Sequence, residues 1–169
     1  LEILATGHEW TEGPLWIEAT NALLYCDIPR NAIYSWNATD GAQEFLRPSG
    51  FLGENFTGPE PGSNGLVLDQ EGNLVMCQHG ERRIAMMNAS ITEPVASFTS
   101  LIDNYQDKRL NSPNDLVFHS NGDLYFTDPP YGLPQRMDDP EKELDFQGVY
   151  KLSSAGTLTL LTSELSRPN

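Results

Sequence analysis

Short apolar runs separated by polar turns recur along most of the chain, and they come in groups of three. In each group the first run opens with a polar residue, and the second run ends on a polar residue 14 or 15 positions later. The runs cover residues 12–16, 23–27 and 32–36, then 64–68, 74–78 and 83–87, then 114–118, 124–128 and 148–152. Short runs bounded by glycine and asparagine turns predict antiparallel strands, and helical periodicity is hardly present.

The groups repeat at a nearly constant spacing. Glu12, Asn64, Asn114 and Asn169 lead successive copies, at intervals of 52, 50 and 55 residues. A period near 50 residues is typical of the four-stranded blades of a β-propeller. We therefore predict an all-β propeller of which this chain forms about the first three blades: residues 12–62, 63–112 and 113–167, with 168–169 opening the next. A non-repetitive β-sandwich is the alternative.

Composition narrows the range of partners. The chain has 169 residues with a formal net charge of −14, which repels nucleic acid. No apolar run is long enough to span a bilayer, so a soluble protein without a membrane partner is expected, extracellular or cytoplasmic. Both ends look cut, which predicts that further C-terminal blades complete the ring. Cys26 and Cys77 lie in apolar runs and are expected to be buried free thiols, with a disulfide as the alternative.

The residues that lead the repeats predict a metal site. Matching positions of successive propeller blades converge on the central channel, where Glu12 would meet Asn64, Asn114 and Asn169. Carboxylate and amide oxygens suit a hard divalent cation. Ca²⁺ is expected first, with Mg²⁺, Mn²⁺ or Zn²⁺ as alternatives. The competing interpretation is that these asparagines merely form turns at strand starts.

Four phrases carry a resemblance to a known family. They are EGPLW at 12–16, LNSPND at 110–115, FTDPPYG at 126–132 and RPN at 167–169. In order and spacing the chain resembles the gluconolactonase / senescence marker protein (regucalcin) family of six-bladed propeller lactonases. The resemblance implies that Glu12 and Asn169 bind the metal and that Asn114 binds the metal or the substrate. It also implies a general-base aspartate about one blade beyond Asn169, outside this chain.

Other residues are expected around the substrate. His79 follows the second run of its blade and is predicted to be a catalytic-site residue that donates a hydrogen bond or relays a proton; the alternative is a solvated loop residue. Asp128 and Tyr131 flank two prolines that stiffen the loop, and with Asn64 they are predicted to contact substrate; a simple turn is the alternative. Long insertions at 47–63 and between residue 128 and residue 146 are predicted to serve binding or gating.

The sequence as a whole favours an enzyme. We expect the complete protein to hydrolyse a small-molecule lactone with the help of a divalent metal, and this chain alone to be inactive. One alternative is a propeller that binds a ligand without turnover. Another is a strictosidine synthase-like propeller, against which Glu12 and the two Pro-Asn phrases argue.

Overall fold

The structure is a computed structural model that describes all residues from Leu1 to Asn169, and it consists almost entirely of β-strands. The strands are β1 Thr11–Ile17, β2 Ala22–Asp27, β3 Ala32–Asn37, β4 Gly41–Leu46, β5 Ser63–Leu68, β6 Leu74–Gln78, β7 Arg83–Met87, β8 Phe98–Ile102, β9 Asn104–Tyr105, β10 Lys108–Arg109, β11 Leu116–Phe118, β12 Leu124–Asp128, β13 Gly148–Leu152 and β14 Leu158–Thr162. Two single-turn 3-10 helices lie at Glu18–Thr20 and Arg136–Asp138. No helix has the length and apolar character needed to cross a membrane.

The strands form three four-stranded antiparallel meanders and one small hairpin. The first sheet has the order β1-β2-β3-β4, the second β5-β6-β7-β8 and the third β11-β12-β13-β14, while β9 and β10 pair alone. Tight turns join the first two strands of the second and third sheets. In these turns Gly72 and Gly122 adopt φ of +85° and +87°, a conformation that glycine reaches without steric cost. The predicted runs are therefore strands, and a fourth strand closes each sheet.

Two apolar clusters hold the three sheets face to face. The first cluster joins the first and second sheets, and it includes Ile17, Leu24, Ile33, Leu74 and Met76. The second joins the second and third sheets around Ile84, Phe126 and Tyr150. Each fully buried side chain of this size contributes about 1.5–3 kcal/mol relative to its exposed state. Adjacent sheets stacked in this way are the blades of a propeller.

The two cysteines belong to these clusters. Cys26 in β2 and Cys77 in β6 are fully buried and are not joined by a disulfide. Burial raises the pKa of the Cys26 thiol to about 12 and that of Cys77 well above its ordinary value. Both side chains are therefore protonated thiols that pack as small apolar groups.

Two long insertions lie between strands, one between two sheets and one within the third sheet. Residues 47–62 connect the first sheet to the second, and residues 129–147 connect β12 to β13. The first insertion is anchored by Asn31, whose Oδ1 accepts hydrogen bonds from the N–H groups of Ser49 (3.1 Å) and Gly50 (2.7 Å). Gln78 at the end of β6 donates to the Ser49 carbonyl at 2.8 Å. These contacts fix where the insertion leaves the first sheet.

Candidate functional site

The first strands of the three sheets approach one another backbone to backbone. A Cβ added to Gly13, which has φ of +60°, would lie 2.0 Å from the carbonyl oxygen of Asn64. Gly65 donates its N–H to the carbonyl oxygen of Asn114 at 2.8 Å, and a Cβ there would lie 2.9 Å from the same oxygen. Because glycine has no Cβ, β5 fits between β1 and β11. Glu12, Asn64 and Asn114 consequently lie at one end of three adjacent strands.

A cavity of about 250 Å³ opens at this end of the strands. Its lining consists of Trp10, Glu12, Ile28, Glu60, Asn64, Asn114, Tyr131, Arg136 and Asn169. All four residues that lead the sequence repeats are in this group, and Tyr131 joins them. Asn64 and Asn114 are buried, whereas Glu12 and Asn169 are exposed.

A buried carboxylate fixes the segment that leads into Glu12. Asp27, at the end of β2, has no solvent exposure and accepts hydrogen bonds from two backbone N–H groups. Glu9 donates to its Oδ2 at 3.1 Å and Trp10 to its Oδ1 at 3.3 Å. These donors stand three and two positions before Glu12. Asp27 therefore determines where the chain enters β1.

Asp128 repeats this arrangement in the third sheet. Its buried carboxylate accepts the N–H groups of Asn111 at 2.8 Å and Ser112 at 2.9 Å, again three and two positions before the strand-leading residue, Asn114. Burial raises the pKa of Asp128 to about 7, and these two hydrogen bonds act in the opposite direction. Asp128 does not line the cavity, although the sequence placed it there with Tyr131. Its carboxylate instead holds the backbone of Asn111 and Ser112, the segment that leads into Asn114.

His79 lies behind the cavity wall. Its side chain is fully buried, and its Nδ1 lies 3.1 Å from Oε2 of Glu60, which does line the cavity. The two groups are not aligned for a hydrogen bond, so neither ring nitrogen has a hydrogen-bond partner within the chain. A buried polar group left in this state costs about 1–3 kcal/mol, which makes it a candidate for a functional role.

Four lining residues are absent from the sequence-based set. Trp10 donates from Nε1 to Glu12 Oε1 at 3.3 Å, and it precedes the repeat by two positions. Ile28 directly follows β2, while Glu60 and Arg136 come from the two insertions. Repeat position identifies residues that lead strands, and it carries no information about residues in insertions. For Glu60 and Arg136, the only indication in the sequence is the unusual length of the two insertions.

The donor atoms of the cavity are suited to a hard cation. No group of three or more histidine, cysteine, aspartate or glutamate side chains comes together to form a metal site of that kind. The cavity instead offers amide oxygens of three asparagines with the carboxylates of Glu12 and Glu60. The nearest thiol, Cys26, donates its hydrogen to the Asn64 carbonyl at 3.0 Å and is not available as a thiolate. This set fits Ca²⁺, Mg²⁺ or Mn²⁺ in kind.

Comparison with known proteins identifies the family. The profile of the SMP-30/Gluconolactonase/LRE-like region matches residues 10–169. A gluconolactonase of Zymomonas mobilis is 41% identical over 172 residues, which covers 100% of this chain and 47% of that protein. The solved structure of a gluconolactonase from Xanthomonas campestris superposes with a TM-score of 0.76 at 30% identity, covering 96% of this chain and 50% of that one.

A further solved structure, of a protein provisionally named a gluconolactonase, gives a TM-score of 0.81 at 32% identity. It is matched by 98% of this chain over 53% of its own length. The chain thus spans about half the length of these relatives, and the predicted partial β-propeller fold is confirmed. On the family profile, the identity and the shared fold, the chain belongs to the SMP-30/gluconolactonase/LRE-like family.

Proposed function

We propose that the complete protein hydrolyses a lactone at this cavity and that Glu12, Asn114 and Asn169 hold a divalent cation there, Ca²⁺ first. The observation that supports the proposal is the presence of all four strand-leading side chains in the lining of one cavity. The relatives named as gluconolactonases supply the reaction class. The proposed general base is an aspartate from a part of the protein outside these residues.

Each lining residue has a defined task in this proposal. Glu12 supplies a charged oxygen, and Trp10 fixes its carboxylate through the indole N–H at 3.3 Å. Asn64 and Asn114 are buried at neighbouring strand starts, so their amide groups are held in place for the metal or the substrate. When bound, a divalent cation polarises the ester carbonyl and lowers the pKa of a bound water.

The remaining wall positions the lactone ring. Trp10, Ile28 and Tyr131 give the cavity an apolar side, while the asparagine amides face it with polar atoms. An apolar wall excludes water from the scissile bond, which strengthens the electrostatic interactions inside the site. Tyr131 is carried by the Pro129–Pro130 loop, and Ser112 Oγ closes that loop by donating to the Pro129 carbonyl at 2.7 Å.

Replacing the only acidic strand-leading residue tests this function. In the complete protein, Glu12→Gln should lower the rate constant kcat/KM for glucono-1,5-lactone by roughly 100-fold or more, because one charged ligand is lost. It should also reduce the rise in melting temperature that added Ca²⁺ produces. Glu18→Gln is the matched control, since Glu18 is exposed and does not line the cavity. If Glu12→Gln kept full metal-dependent lactone hydrolysis, the proposal would be refuted. If the wild type bound the metal but hydrolysed no lactone, a non-catalytic binding module would be favoured.

A further inference from the structure

Glu60 is the second carboxylate in the cavity, and the repeat does not account for it. It lies at the end of the first insertion, only 7% exposed, and it lines the same cavity as Glu12. Its Oε2 lies 3.1 Å from Nδ1 of His79, and its Oε1 lies 3.9 Å from Nη2 of Arg136. The carboxylate is thus held between a buried imidazole and a half-exposed guanidinium.

The His79 ring has little freedom to move away from Glu60. Its backbone N–H donates to the Gly62 carbonyl at 3.1 Å, and its carbonyl accepts from Arg82 at 3.0 Å. Gly132 packs so closely that a Cβ there would lie 2.7 Å from the Cβ of His79. A fully buried ring without a hydrogen-bond partner, fixed next to a cavity-lining carboxylate, is arranged to act on that carboxylate. Hydrogen bonds of this kind often align only when a ligand is bound.

The charges around the cavity restrict what Glu60 can contact. Glu60 is itself a carboxylate, so it repels an anionic group placed directly against it. An unsubstituted apolar ring would leave the Glu60 carboxylate without a hydrogen-bond donor. Hydroxyl groups are neutral, and they donate to carboxylates in strong charge-assisted hydrogen bonds. Because the proposed cation ligands are Glu12, Asn114 and Asn169, the substrate group that best matches Glu60 is a ring hydroxyl.

We propose that Glu60 is a substrate-binding residue that accepts hydrogen bonds from the hydroxyl groups of a polyhydroxylated lactone, and that His79 is a positioning residue for its carboxylate. The inference rests on the proposed lactonase function and adds a specificity determinant to it. His79 donates from Nδ1 to Glu60 when the substrate is bound. Glu60 thereby favours hydroxylated over unsubstituted rings.

The test compares two lactones of the same ring size, glucono-1,5-lactone and δ-valerolactone, in the complete protein. Glu60→Gln should lower kcat/KM for the hydroxylated lactone about 10-fold, because a neutral amide oxygen accepts a weaker hydrogen bond than a carboxylate does. The value for δ-valerolactone should stay within about threefold. Glu54→Gln, an exposed position in the same insertion, is the matched control and should change neither value.

Two substitutions of His79 separate positioning from a merely structural role. His79→Asn keeps a donor near Nδ1 and should retain most of the preference for glucono-1,5-lactone, whereas His79→Leu should lose it as Glu60→Gln does. Equal losses on both lactones, or an unchanged ratio in Glu60→Gln, would overturn the inference while leaving the lactonase function standing. A wild type that hydrolyses neither lactone overturns both.

Discussion

At the level of single residues, Asp27 and Asp128 have the same structural role at the start of a strand. Each buried carboxylate receives two backbone N–H groups, three and two positions before a strand-leading residue of the cavity. Side-chain to backbone bonds of this kind fix the register of a strand entry more tightly than apolar packing, which has no direction. The positions of the cavity-lining residues Glu12 and Asn114 therefore depend on two side chains that do not line the cavity.

Asp128 should make the stability of the protein depend on pH. Its pKa is raised by burial from 3.8 to about 7, so the folded state holds the proton at pH values where the unfolded chain has lost it. The stabilising contribution is therefore complete below about pH 4 and is lost as pH rises through 7, by on the order of a few kcal/mol. Between pH 4.5 and pH 7.5 the wild type should lose this part of its free energy of unfolding, whereas Asp128→Asn should not. Urea denaturation of both proteins at the two pH values measures the loss.

The control for that experiment is Asp138→Asn, an exposed position in the second insertion. It should leave the change in unfolding free energy between the two pH values as it is in the wild type. If Asp128→Asn follows the wild type equally closely, the carboxyl group is not the source of the pH dependence.

At the level of strands, the sequence pattern predicted the repeated elements and the positions of the two insertions, but it did not predict which insertion residues line the cavity. Strand-leading residues such as Glu12 and Asn64 could be predicted because a fixed period brings equivalent positions together. Glu60 and Arg136 could not, because the path of an insertion depends on anchors such as Asn31, which are distant in sequence. The roles that the pattern assigned to side chains in the cavity remain predictions.

The close contact between β1 and β5 makes a strong prediction about Gly13. Gly13→Ala adds a Cβ 2.0 Å from the Asn64 carbonyl oxygen at a φ of +60°, so the strands must separate. We expect a loss of about 3 kcal/mol or more of unfolding free energy, because a left-handed conformation and a backbone clash add together. Urea denaturation of the complete protein measures it.

Gly72→Ala is the matched comparison for Gly13. Gly72 has a similar positive φ of +85°, but no atom lies within 4 Å of its added Cβ. Its cost should be only about 1–2 kcal/mol, that of the left-handed conformation alone. Equal losses of unfolding free energy for the two substitutions would show that the close approach of β1 and β5 does not restrict the side chain at residue 13.

At the level of the whole molecule, the two outer sheets each carry an apolar face without a neighbouring sheet. In β2, Leu24 and Cys26 point into the first cluster, so the alternate residues Leu23 and Tyr25 point the opposite way. Tyr25 is covered by His8, whose Nε2 lies 2.8 Å from its hydroxyl, whereas Leu23 and Trp36 are only half-buried and line a depression of about 400 Å³. In the third sheet, Val117 is 59% exposed on the corresponding outer face. Relatives about twice as long as this chain have enough further sequence to cover both faces.

The exposed faces predict how residues 1–169 behave when they are expressed alone. Apolar faces of this kind drive self-association, and the proposed general-base aspartate is not among these residues. We expect the isolated segment to bind a hydrophobic dye, to elute above monomeric size on gel filtration and to hydrolyse no lactone. The complete protein should bind little dye.

A substitution of Val117 tests whether the outer face of the third sheet is covered by the rest of the protein or is exposed to solvent. If further blades cover the third sheet, Val117→Lys in the complete protein buries a charge and should lower the melting temperature by several degrees. Met137→Lys replaces a side chain that is 45% exposed in the second insertion, and it should change the melting temperature little. A complete protein that tolerates both substitutions equally would show that the face of Val117 remains open to solvent.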